Sequence, residues 1–130
     1  MKQFKTISPI GDGDASAVPV REITPAVRFY TQTLGFSLIT EDERSAGLKR
    51  DDVQIGLVAK ADHDWATAGS FYIAVADVET LRREFEGNGA KPGAIHVQEY
   101  DGKKYRLFFL RECDMMESRD GYCFCFGQPA

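Results

Sequence analysis

The residues best suited to chemistry in this 130-residue chain are its three cysteines and two histidines. In the stretch DGYCFCFGQP, Cys123 and Cys125 alternate with Phe124 and Phe126. Residues two apart on a strand point to one face, so the two thiols would share a side. Two thiols do not complete a tetrahedral zinc site, and no C-x-x-C pair accompanies them. Cys113 precedes them in the run ECDMMESRDG, which reads as a long loop from which it could approach. A catalytic thiolate would also need a lowered pKa and a nearby base. The plainer reading is a concave wall lined by small residues, with Phe124 and Phe126 packed beneath helices. His63, in ADHDW, reads as a surface residue. His96, in AIHVQE, is turned away from Ile95 and Val97 by strand alternation and reads first as a hydrogen-bonded wall residue. No Gly-rich phosphate loop or G-x-S-x-G elbow is present, and GDGD near the N-terminus lacks the rest of a calcium loop.

These residues must be positioned by a core of ordinary size. The chain is 43% hydrophobic and 28% charged, a globular composition. Its length fits one domain. The net charge of −4 argues against a nucleic-acid surface and mildly for neutral or cationic partners. No apolar run is long enough to span a bilayer or to serve as a signal peptide, so a cytoplasmic location is expected. The odd cysteine count and close spacing argue against a disulfide-stapled fold.

One pattern occurs twice. VPVREITPAVRFYTQTLGF and IAVADVETLRREFEGNGA each begin with alternating apolar residues, reach an acid (Glu22 or Asp77), continue as a helix and end at glycine. In the first, Thr24 is the expected cap, Pro25 the first helical residue, Val27, Tyr30 and Leu34 the apolar stripe, and Gly35 the left-handed stop. In the second, Asp77 caps and Val78, Leu81 and Phe85 form the stripe. The strand-like runs FSLIT, SAGLKR and VQIGLVA follow the first helix; AIHVQEY, YRLFFLR and YCFCFG follow the second. Each half therefore reads β-α-β-β-β: module one over about 14–60, a linker over about 61–69, and module two over about 70–128. Each sheet has one face covered by its helix and one bare, and pairing the modules around bare faces would enclose a chamber.

The ordered modules resemble those of the vicinal oxygen chelate superfamily, from about Ala15 to Gln128. The second module and the ending RLFFLRE…DGYCFCFGQ look most like its bleomycin-resistance-like branch. The resemblance implies a single α+β domain over 1–130, with two paired modules forming an open, barrel-like curved sheet around a chamber. It also implies a homodimer. Enzymes of the superfamily, which include glyoxalases and extradiol dioxygenases, hold a divalent metal by His, Gln or Glu on four strands. Carried over residue by residue, those positions are Ala15, Gly56, Ser70 and Cys125 here. None is His, Glu or Gln, so no metal cofactor is expected.

Alternation from Cys125 puts Ser70, Tyr72 and Ala74 on the chamber side, with Phe71, Ile73 and Val75 in the core. Gln54 joins Gly56 there, and Arg106 and His96 are further polar candidates. Trp65 either lids the cavity or anchors the linker. The expected ligand-binding set is thus Gln54, Trp65, Ser70, Tyr72, His96, Arg106 and Cys125. The reading favoured is a metal-free small-molecule-binding protein resembling those that sequester an antibiotic, with neither nucleic acid nor membrane as partner. The rivals are a divergent glyoxalase- or dioxygenase-like lyase or oxidoreductase, using a non-standard metal site or His96, Tyr72 or Cys125, and a regulatory subunit with a vestigial chamber.

Overall fold

In a computed structural model of the chain, residues 2–112 and 120–130 are described. Cys113, Met115 and Met116, read above as parts of a loop, lie outside them. The first module runs β2 (Val18–Val20), α1 (Ile23–Arg28), β3 (Ser37–Glu41), β4 (Ser45–Arg50) and β5 (Val53–Ala59). The second runs β6 (Ser70–Val75), α2 (Val78–Gly87), β7 (His96–Tyr100), β8 (Lys103–Arg111) and β9 (Cys123–Pro129). In both, the first strand pairs parallel with the last and the rest pair antiparallel. Sheet one has the order β2-β5-β4-β3. Sheet two has the order β1-β6-β9-β8-β7, where β1 (Phe4–Ile10) is an additional N-terminal strand lying antiparallel on β6.

The helix ends follow local chemistry, with one difference. Asp77 caps α2, its Oδ1 accepting from the Glu79 and Thr80 amides at 3.1 and 3.2 Å. α1 begins two residues earlier than Thr24 suggests: Glu22 is its cap, without a side-chain cap bond. Pro25 is then the third helical residue, where its missing N–H costs no helical bond because the first turn has none to make. α1 passes into a π-turn over Phe29–Thr33 before stopping at Gly35, whose φ of +77° few other residues adopt.

One core joins the modules. The helix-facing sides of both sheets, Leu48, Ile55 and Leu57 on one and Phe71, Ile73, Phe124 and Phe126 on the other, belong to a single buried cluster. α1 packs on β4 and β5, and at its end Phe29 meets Phe124 of sheet two at a tilt and Tyr30 meets it edge-on. Phe85 of α2 packs edge-on to Phe108 and Phe126. Arg50 ties the two halves: it bonds Glu84 with both terminal nitrogens at 2.7 and 2.8 Å, donates to the Leu34 carbonyl, and lies 4.3 Å from the Phe4 ring centroid. Because both sheets turn their helix-facing sides to this core, their bare faces point away from it. The two sheets do not close on one another within a chain.

Candidate functional site

Strand register places the bare face of sheet two row by row. The first row is Ile10, Ser70, Cys123 and Arg111; the second is Ser8, Tyr72, Cys125 and Phe109. The third is Ala74, Gly127, Leu107 and His96. Tyr105 lies opposite Gln98 and Lys103 opposite Tyr100 beyond it. Cys125, Gly127 and Leu107 form a buried floor, while Ser70, Tyr72 and Tyr105 are half-buried and Phe109 and Tyr100 are exposed.

The rings are ordered around that floor. A Cβ on Gly127 would stand 2.7 Å from the Tyr72 hydroxyl, so only glycine lets the Tyr72 ring lie down across β9. Tyr72 meets Tyr105 edge-on at 6.4 Å, and His96 stacks on Phe109 at 5.9 Å. The wall is thus aromatic along three strands.

Two of its titratable groups, Cys125 and Tyr72, hold their protons. Burial, and then the neighbouring Cys123, push the Cys125 thiol up to about 12. Burial, then Cys125 and Tyr105, push the Tyr72 hydroxyl up to about 12. Both ring nitrogens of His96 are engaged: Nδ1 donates to the Ala94 carbonyl at 3.1 Å, which leaves Nε2 to accept from Gln98 at 2.9 Å. With both nitrogens engaged, His96 is a hydrogen-bonded residue of the wall. Neither Cys125 nor Tyr72 is set up as a nucleophile or base at neutral pH.

The corresponding face of sheet one is different. Gln54, Lys49 and Ser37 form one row, Gly56, Gly47 and Thr40 the next. Here the chain covers itself: the Gly56 amide donates to the Ala15 carbonyl at 2.9 Å, and a Cβ on Gly56 would meet the Ser16 carbonyl oxygen at 2.1 Å. The turn through Asp14 and Ser16 is held by the Asp14 carboxylate, which accepts from the Ser16 amide and hydroxyl.

Between these regions, at the Ser70 end, lies a cavity of about 570 Å³ lined among others by Ile10, Asp12, Asp14, His63, Ser70 and Tyr122. His63 is not the surface residue expected from its sequence. It is half-buried, stacks on Tyr122 at 5.4 Å and bonds the Asp120 carbonyl at 2.8 Å. Tyr122 in turn donates to the Pro19 carbonyl and Asp120 accepts from the Arg21 amide, so this cluster pins the start of β9 to the first module.

Of the seven residues expected to bind ligand, the structure brings Ser70, Tyr72, His96 and Cys125 together on the face of sheet two. Arg106 is a correction: register puts it on the opposite face, level with Val97 and Gln128, and its guanidinium pairs with Glu79 of α2. Gln54 lies on a bare face, but that of sheet one. Trp65 opens a short 3-10 turn with its side chain 56% exposed, and its backbone and Cβ press against Gly121. The sequence reading missed Tyr105, Leu107, Phe109 and Gly127. Pairing of Phe109 with Cys125 supplies the phase along β8 that the sequence alone lacks.

A divalent metal at Ala15, Gly56, Ser70 and Cys125 does not fit these residues. Ala15 has no donor, Gly56 has no room for a side chain, and the Cys125 thiol holds its proton. Ala15 and Gly56 are neighbours on sheet one, Ser70 and Cys125 on sheet two, and the two bare faces point away from each other. Among the described residues there is no cluster of three or more His, Cys, Asp or Glu able to hold an ion.

Three solved structures share this architecture. The bleomycin-binding protein of Streptomyces verticillus, complexed with copper(II)-bleomycin, is 24% identical with a TM-score of 0.63, over 88% of this chain and 93% of that one. A bleomycin-binding protein complexed with bleomycin is 19% identical with a TM-score of 0.72, over 92% and 99%. A bleomycin resistance determinant encoded on the transposon Tn5 is 19% identical with a TM-score of 0.70, over 91% and 98%. At these identities the likeness is one of fold. A sequence search of curated proteins gives no significant match. The family profile described as the Glyoxalase/Bleomycin resistance protein/Dioxygenase superfamily matches residues 14–126. The chain belongs to that superfamily.

Proposed function

We propose that this protein binds and sequesters a small, flat, largely apolar molecule on the bare face of sheet two, without a divalent metal and without converting it. The observation that carries the reading is the aromatic wall itself. Tyr72, Tyr105, Phe109 and His96 stand around an apolar floor, and Phe109 and Tyr100 remain exposed there. An apolar surface with a few polar groups is the usual form of a small-molecule site. The solved relatives that hold bleomycin support binding over turnover as the use of this fold, and the protonated Cys125 and Tyr72 point the same way.

A homodimer is part of the proposal. The superfamily's four ligand positions fall in two pairs on faces that diverge within one chain. A chamber containing both pairs therefore takes sheet two from one copy and sheet one from another.

Titration calorimetry with 2-naphthalenemethanol, a neutral flat probe, tests the reading. Saturable binding is expected, weakened about tenfold by Tyr72→Ala or Phe109→Ala. Absence of binding, or binding indifferent to both substitutions, would overturn it. Sedimentation equilibrium is expected to show a dimer at the same concentrations.

A further inference from the structure

Charge is segregated between the two sides of the sheets. The chain carries 20 acidic and 16 basic residues, so a random strand position is more often acidic than basic. Yet among the described residues no Asp or Glu occupies a strand position on either bare face. The charged side chains there are Lys49 on sheet one and Lys103 and Arg111 on sheet two. Among the described residues none of these three meets an acid in an ion pair. On the helix side three arginines meet acids: Arg50 pairs with Glu84, Arg82 with Glu86 and Arg106 with Glu79. Among the described residues the strand positions of the bare faces therefore carry cations and no acids.

We infer that the ligand of the sheet-two face is a planar aromatic anion, of the aromatic carboxylate or sulfonate class, with its charged group toward Arg111. This rests on the ligand-binding reading above and fixes the charge of the ligand. It reverses the expectation from net charge, because the acidic excess sits on other surfaces. Arg111 lies in the row of Ser70 and Cys123, one row beyond the floor formed by Cys125 and the Phe109 ring. An anion there would take a forked bond from the guanidinium while its rings cover the floor. The acids at this end are Glu112 and Asp120, both buried, with Glu112 accepting from the Asp120 amide and Asp120 from the Arg21 amide, and Asp12 and Asp14, on the cavity beyond Ser70. Lys60 lines the same cavity, and Asp14 is engaged by Ser16.

The test compares three probes of one shape by titration calorimetry: 2-naphthoate, 2-naphthalenemethanol and 2-naphthylmethylammonium. The anion is expected to bind about tenfold more tightly than the cation, with the alcohol between. Arg111→Gln should weaken the anion about fivefold and leave the alcohol within about twofold. Lys103→Gln, at the far end of β8, should do less. Raising salt should weaken the anion alone. If the cation binds as tightly as the anion, or Arg111→Gln does not affect naphthoate, the inference falls while the binding face stands. If none of the three binds, both fall. Arg111 and Lys103 are exposed, so these variants are expected to fold, and circular dichroism checks that.

Discussion

The two modules share one topology and put the same face to different use. On the last strand of each, a glycine sits on the bare side. Gly56 in β5 is there because the chain's own turn at Ala15 and Ser16 fills the space above it. Gly127 in β9 is there because the Tyr72 ring lies over it. In the first module the occupant is backbone and cannot move without unmaking the turn. In the second it is the end of a flexible side chain, with open surface beside it. A repeated fold can thus retire one of its two faces as structure and keep the other for a ligand.

The same substitution in both places tests that difference. Gly56→Ala puts a methyl 2.1 Å from the Ser16 carbonyl oxygen. It should cost about 3 kcal/mol or prevent folding, read as a lowered urea midpoint. Gly127→Ala meets only the Tyr72 hydroxyl end and should cost less than about 1 kcal/mol, because the ring can swing away. Its effect should appear in probe affinity. Equal losses of stability at both sites would break the comparison.

Arg50→Ala comes between these in size. Arg50 is well buried while Glu84 is partly exposed, so removing the guanidinium strands the acid incompletely. A loss of about 2 kcal/mol is expected, and Arg50→Ala with Glu84→Ala should lose little more than Arg50→Ala alone. Probe affinity should hold, since the pair ties the modules on the side away from the ligand face.

The smallest effect is with pH, and it sharpens the second module's side. Cys125 and Tyr72 keep their protons in the folded state to about 12, against ordinary values of 9.0 and 10.0. Between those limits the unfolded chain has lost protons that the folded chain holds, so stability falls as pH rises. Urea midpoints should be flat near neutrality and decline above about pH 9. Cys125→Ala should make the decline shallower, whereas a cysteine already ionised at neutrality would give no such change.

How much of this the sequence disclosed depends on the local signal. Alternation placed Phe71, Ile73 and Val75 inward and Ser70 and Tyr72 outward, because β6 has its apolar residues on one side. It failed for Arg106: the run Leu107–Leu110 is apolar on both sides of the sheet, which leaves no phase to count from. β1 was not seen at all, since FKTISPI alternates weakly and contains Pro9, and it earns its place only by pairing with β6. Gln54 was put in the correct module and on the correct side of its strand, but repeats do not say how modules pack, so its separation from Ser70 and Cys125 within one chain was not legible. His63 gave no sign of its stacking on Tyr122, a contact 59 positions away and set by the tertiary fold.

The central claim is that the sheet-two face binds its ligand without a metal. Titration of 2-naphthalenemethanol into protein stripped with EDTA, and again after resupply of Mn(II), Fe(II) or Zn(II), tests it most directly. Unchanged affinity in every case is the predicted result. Binding that disappears with EDTA and returns with one of these ions would contradict the account.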